Sequence, residues 1–284
     1  MKLGAMTFSF EPGTLDDIAP RVRAMGLDTI DLAVRTPPLD KDSCARRPRE
    51  QAALVCRILS QHELEVSEVF LLHCGEPINH PDPDRRAMSR ELFAGLATFC
   101  REIGAGSIMM SPGTVHEAIG REASVAMAVS ELRFMQEVCA RNGLQLSIEP
   151  HWHSLAESPE MARYFCEQVP GLRLTLCYAH FIAQAYGQRD VEPLHAYTHH
   201  MHARQAKVGF TNVPRDEGTI DYARIIRGLA SVGWDGVICL EYNPKLISGA
   251  VGEMEWLKGV LEGHIRGINA ASSAQQGTGL GETP

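Results

Sequence analysis

Short runs of β character alternate with longer amphipathic segments eight times along the chain, and few folds accommodate that order. The β-type runs fall near 3–9, 29–33, 65–72, 107–111, 144–149, 173–178, 200–204 and 236–241. Between them lie segments of helical period near 14–25, 48–62, 87–103, 121–142, 158–168, 189–198, 220–232 and 252–266. One of them illustrates the pattern: Leu132, Met135, Val138 and Cys139 share one face, while Glu131, Arg133, Glu137 and Arg141 point elsewhere. That is the spacing of a helix lying on a core. Glycines such as Gly26 and Gly143 stand just before the next strand, where a helix ends most easily in a left-handed residue.

Runs such as LTLC and VICL are apolar on both faces, as expected of a parallel sheet covered by helices. Eight strand and helix units predict a closed (β/α)8 TIM barrel, an α/β fold of one domain. An open doubly wound sheet would offer a glycine-rich first turn, and MTFSFEPG is not GxGxxG. The length of 284 residues suits one such barrel. The barrel is expected over 1–268, followed by a small, polar and disordered tail over 269–284.

Composition narrows the partners. A net charge of −8 argues against nucleic acid, whose affinity for proteins comes largely from Lys and Arg. No apolar stretch approaches the roughly 18 residues of a membrane span, and the first residues do not read as a signal peptide. The eight cysteines never form CxxC and read as small buried residues in a reducing compartment. A cytoplasmic protein is expected.

Four ligand-type side chains recur at the ends of successive predicted strands: Glu149 in LQLSIEPH, His180 in LRLTLCYAHF, His202 in YTHHMHARQ and Glu241 in VICLEYNP. Nearly 100 residues separate the first from the last. Only a fold that gathers strand ends at one mouth makes them neighbours, and the barrel does so. Carboxylate and imidazole donors of this kind suit a divalent metal ion, Mn²⁺, Mg²⁺, Co²⁺ or Zn²⁺. The competing readings are a structural ion pair for Glu149 and Glu241, and a satisfied core histidine for His202 or His180.

Through IEPH, CYAHF, HARQ, DEGTIDY and GVICLEY the chain resembles the sugar isomerase/epimerase group of the xylose-isomerase-like barrels. The resemblance implies a metal held after strands five, six, seven and eight by Glu, Asp, His and Glu. These positions correspond here to Glu149, Cys177, His202 and Glu241, so a thiol stands where the family has a carboxylate. A ligating Cys177 would tilt the site toward zinc. Otherwise three ligands remain, or His151 or His153 completes the set. The expected chemistry is proton transfer next to a carbonyl through an enediolate, with Glu149 and Glu241 as acid and base. His180 is expected to touch the sugar.

Arg204 or Lys207 is expected to hold an anionic group or to be an ordinary solvated charge. Glu68 is expected either to contact substrate at the mouth or to form a salt bridge at the barrel bottom or toward the helices, and His151 and Trp152 to line the pocket. Phe8 and Phe10 are expected either in its apolar wall or in the core. Adjacent strand residues face opposite ways, so at most one of His199 and His200 shares the face of His202. His195, His62, His116 and His264 read as packing or solvent-facing residues, and Asp216 with Glu217 as a loop feature. The implied partner is a small sugar or sugar acid, and barrels of this group commonly pair into homo-oligomers, an analogy of fold only. The same enediolate can lose water or CO₂, which makes a lyase the second reading. A non-catalytic sugar-binding barrel and an abasic-site endonuclease rank below it, the latter lacking a basic groove.

Overall fold

The computed structural model describes residues 1–277 in backbone, with side-chain surroundings through 270. Eight strands close a parallel barrel in sequence order. They are β1 (Lys2–Met6), β2 (Thr29–Ala33), β3 (Glu65–Leu72), β4 (Ser107–Met110), β5 (Gln145–Ile148), β6 (Arg173–Cys177), β7 (Thr198–Ala203) and β8 (Val237–Leu240). Closure is direct, with Leu3 opposite Ile238 and Ala5 opposite Leu240. Helices α1 (Leu15–Ala24), α2 (Lys41–Arg46), α3 (Pro48–Ser60), α4 (Pro83–Glu102), α5 (Gly120–Arg141), α6 (Pro159–Gln168), α7 (Tyr178–Ala183), α8 (Gln188–Val191), α9 (Tyr222–Ser231) and α10 (Ala250–Gly277) follow in chain order. The single barrel expected from the alternation is therefore present.

Three local departures from the predicted elements bear on the mouth. The first strand stops at Met6 and continues as a 3-10 turn, Thr7–Phe10. Thr7 Oγ1 accepts the backbone N–H of Ala33, and Ser9 Oγ accepts that of Tyr242. Side-chain hydroxyls thus replace ladder bonds and fold the segment against β2 and the end of β8. The segment expected as one helix over 189–198 is split into α8 and a 3-10 turn, Glu192–Tyr197, with Pro193 near its start. The short helix α7 follows β6 at once and carries His180. Helix α10 continues past residue 268 to Gly277, and the end of the expected tail, 278–284, lies outside the described residues.

Helix starts follow their sequence signals. Thr14 caps α1 and is answered by Asp17, a reciprocal pair that satisfies two orphan N–H groups. Ser158 caps α6 ahead of Pro159 at the first helical position, where its missing N–H costs nothing. The core is continuous between the outer face of the barrel and the helices, with Phe93, Phe99, Phe165 and Phe181 fully buried.

One residue shows how tightly the outer layer is packed. A Cβ on Gly95, inside α4, would lie 2.3 Å from the carbonyl oxygen of Ala45 and 2.9 Å from its Cα. Alanine would favour the helix by about 1 kcal/mol, but overpacking costs about 1–3 kcal/mol, and here the obstacle is backbone. Gly95→Ala is therefore expected to lower the thermal midpoint. A midpoint at or above the parent's would show that α2 gives way freely.

Candidate active site

The strand register brings the expected ligands together. The backbone N–H of Glu149 bonds to Met110 O beyond the end of β5, and that of Glu241 to Ala203 O beyond the end of β8. Cys177 lies opposite His202 in the β6–β7 pairing. Nδ1 of His202 stands 3.0 Å from Glu149 Oε1 and 3.5 Å from Glu241 Oε2. His180 Nε2 is 3.6 Å from Glu149 Oε1. All of these side chains, with Arg204, are at most 5% exposed.

Arg204 is the organiser of one side of the mouth. Its guanidinium contacts Glu241 Oε2, donates from Nη2 to His180 Nε2 at 2.8 Å and from Nε to Thr211 O at 2.9 Å. Arg204 O accepts the Tyr222 hydroxyl, and the following N–H of Gln205 donates to the Tyr242 hydroxyl. A guanidinium has no acceptor, so the contact with His180 fixes that ring's Nε2 as unprotonated. Its remaining proton is then on Nδ1, a buried nitrogen without a hydrogen-bond partner. Burial, with His151 alongside, lowers the pKa of His180 to about 3, in keeping with a neutral ring.

Glu149 and His202 carry opposite charges. Burial alone would push Glu149 up, but the hydrogen bond and charge of His202 hold it below the usual carboxylate range. Burial would push His202 down, yet Asp31 and Glu149 raise it to about 10. Cys177 behaves differently. Burial raises its thiol, more than the neighbouring Arg204 lowers it.

A second polar layer lies deeper in the barrel, and the sequence reading did not assemble it. Asp31, Glu68, His200 and His202 are all buried there. His200 Nε2 lies 2.7 Å from Asp31 Oδ2, and Ser67 Oγ donates to Asp31 Oδ1 at 2.5 Å. Glu68 takes Ser107 Oγ at 2.7 Å and Thr175 Oγ1 at 2.8 Å. Both its oxygens are thus engaged inside the barrel rather than presented to a pocket. Burial raises Glu68, whereas Asp31 is lowered because the His200 charge and hydrogen bond outweigh burial. The signal for Asp31 was available: a carboxylate in the apolar strand TIDLA is costly unless paired.

The remaining candidates are distributed as follows. His151 lies against His180, ring centroids 3.9 Å apart, so it belongs to the mouth. Trp152 stacks on His153 at 4.7 Å and is half-buried in the same loop. Phe8 joins Phe70, Met6 and Met109 in a separate apolar cluster, and Phe70 lies 6.3 Å from the His202 ring. Phe10 belongs to the main core. Lys207 pairs with Glu217 at 2.5 Å and lies over Phe210. Asp216 neighbours it in the same loop. His200 shares the His202 layer, whereas His199 does not. His195 packs inside, its Nε2 2.6 Å from the Tyr178 hydroxyl, and His62, His116 and His264 are half-buried outside the site.

Among the described residues, three sets offer donor atoms within 4.8 Å of one another: Asp31, Glu68, His200 and His202; Glu149, His151 and His180; and Glu149, Cys177 and Glu241. The mouth fits a divalent ion in donor type and spacing. Two buried carboxylates flank one imidazole nitrogen, and Arg204 contacts the same Glu241 oxygen, Oε2, that faces it, so an ion there would share that oxygen or use Oε1. Cys177 would have to lose its proton to join.

A family model described as "Xylose isomerase-like TIM barrel" matches residues 19–260. No curated protein gives a significant sequence match. Among solved structures, a D-tagatose 3-epimerase-like protein superposes with a TM-score of 0.76 at 18% identity, covering 94% of this chain and 100% of that one. The apo form of 3-keto-D-glucoside 4-epimerase from E. coli gives 0.72 at 15% identity, covering 92% and 99%. A protein described as "the probable 3-DHS dehydratase AsbF" from Bacillus anthracis gives 0.72 at 17%, also covering 92% and 99%. At these identities the likeness is one of fold. No helix among the described residues is long and apolar enough to cross a membrane.

Proposed function

Because the chain belongs to the xylose isomerase-like TIM barrel family, we propose that it is a metal-dependent sugar isomerase or epimerase that moves a proton at the carbon beside a carbonyl. The carrying observation is the pair of buried carboxylates, Glu149 and Glu241, at 3.0 and 3.5 Å from one nitrogen of His202. Two carboxylates withdrawn from water need compensating positive charge, which His202 and Arg204 supply and a divalent ion would share. Glu149, His202 and Glu241 would hold a divalent ion, Mn²⁺, Mg²⁺, Co²⁺ or Zn²⁺, and a deprotonated Cys177 would complete a set that favours zinc. When bound, such an ion supplies Lewis acidity to a sugar oxygen.

The chain's own groups divide the rest of the work. Glu149, kept ionised by His202, takes the proton beside the carbonyl, and Glu241 returns one from the other side. His180 donates its free Nδ1–H to a substrate oxygen. Arg204 holds His180 in the tautomer that permits this and sets a positive charge where an oxyanion or a substrate carboxylate can rest. His151 and Trp152 close the same side. Loss of water from the same enediolate is the second reading, supported by the shared fold with the dehydratase-like structure.

Metal content separates the possibilities. The purified protein is expected to carry a divalent ion, Cys177→Ala to weaken zinc, and Cys177→Asp to shift preference toward Mn²⁺ or Mg²⁺. In D₂O, a panel of ketoses and sugar acids should gain deuterium beside the carbonyl. If the parent and both Cys177 variants bind no ion, and Glu241→Ala leaves sugar binding intact, the metal-enzyme reading is abandoned. Turnover without exchange would move the assignment away from proton transfer.

A further inference from the structure

Asp31 is held by two donors in a fully buried setting. Its Oδ1 accepts from Ser67 Oγ at 2.5 Å, and its Oδ2 lies 2.7 Å from His200 Nε2. The same Oδ2 faces Nε2 of His202 at 3.4 Å, a charge contact rather than an aligned hydrogen bond. His202 therefore has one ring nitrogen toward the mouth carboxylates and the other toward Asp31. Glu68 is the next carboxylate, but its Oε1 is 3.9 Å from His202 Nε2 and already accepts from Thr175.

An imidazole that ligates through one nitrogen carries its proton on the other, and a carboxylate beside that proton fixes the tautomer and strengthens the ligand. We propose that Asp31 is the positioning residue of the mouth: when an ion replaces the Nδ1 proton that His202 shares with Glu149, Asp31 keeps the remaining proton on Nε2 and the Nδ1 lone pair aimed between Glu149 and Glu241. Ser67 and His200 keep Asp31 in place for this task. The β2 carboxylate thus sets the ligand strength of a site built by β5, β7 and β8, without touching substrate. The inference rests on the ion-binding reading above, and it concerns a residue outside that ligand set.

Zinc affinity of the chelator-stripped full chain, measured by competition with a fluorescent chelator, tests it. Asp31→Asn is expected to bind zinc about 10–100-fold more weakly than the parent. Glu68→Gln, which alters the same buried layer but not the facing carboxylate, is expected to match the parent. Nitrogen-15 spectra of the zinc-loaded parent, with His202 signals identified by their loss in His202→Gln, should show a protonated Nε2. That measurement keeps the idea testable if Asp31→Asn does not fold. Parental affinity in Asp31→Asn, an equal loss in Glu68→Gln, or a proton on Nδ1 overturns it. If Glu241→Ala leaves the parent's zinc affinity unchanged, no ion sits at the mouth, and the ion-binding reading falls together with this one.

Discussion

Glu149→Gln is expected to cut deuterium exchange on any accepted sugar by about 10²–10⁴-fold, the range for removing a positioned acid or base. Glutamine keeps the volume of the side chain and can accept from His202, but it carries no charge and takes no proton. The geometry makes this residue more sensitive than its partner. Glu149 Oε1 is approached by both His202 and His180, whereas Glu241 Oε2 is contacted by Arg204 as well as His202. Circular dichroism and the thermal midpoint should be recorded beside the exchange rate. A folded Glu149→Gln protein that still exchanges at the parental rate would remove Glu149 from the chemistry and leave it a structural ion-pair partner.

The largest expected loss of stability comes from the inner polar layer. Asp31→Leu should destabilise the barrel by about 3–5 kcal/mol, because breaking a buried pair strands the remaining charge. His200, 2% exposed, would keep a polar ring with no carboxylate at 2.7 Å, and Ser67 would lose its acceptor. Charge removal on both sides has a different consequence. Replacing a whole buried pair by packed apolar residues is often neutral, so Asp31→Leu combined with His200→Leu should recover much of the loss. Urea midpoints of the two variants and the parent give the comparison. A single variant within about 1 kcal/mol of the parent, the net worth of an ordinary hydrogen bond, would mean that His200 is neutral and carries no stranded charge.

The sequence was informative wherever the physics is local. Alternation of β-type and helical periods predicts eight units, and each strand from β2 to β8 falls within a few residues of its expected place. Caps such as Thr14 and Ser158 were in plain view. Residues at the ends of β5 and β8 were recognised because an ionised side chain after an apolar run is costly unless paired. The same logic flagged Glu68 correctly as unusual but could not say which direction it faced. Its partners, Ser107 and Thr175, come from β4 and β6, and hydroxyls on other strands leave no periodic trace.

What the chain alone determined was therefore the barrel and the strand-end positions of Glu149, His180, His202 and Glu241, while Cys177 entered only through the resemblance to the xylose-isomerase-like barrels. Only the closed sheet decided the second layer. Asp31 and His200 are 169 positions apart, and nothing in either segment specifies the other. They meet because barrel closure turns inward-facing side chains of distant strands into neighbours across a common axis. Arg204 is a similar case, since its charge is legible in HARQ but its contacts with Glu241 and His180 require the mouth to be assembled. Pairing across the barrel is a property of three dimensions, whereas burial cost and periodicity act along the chain.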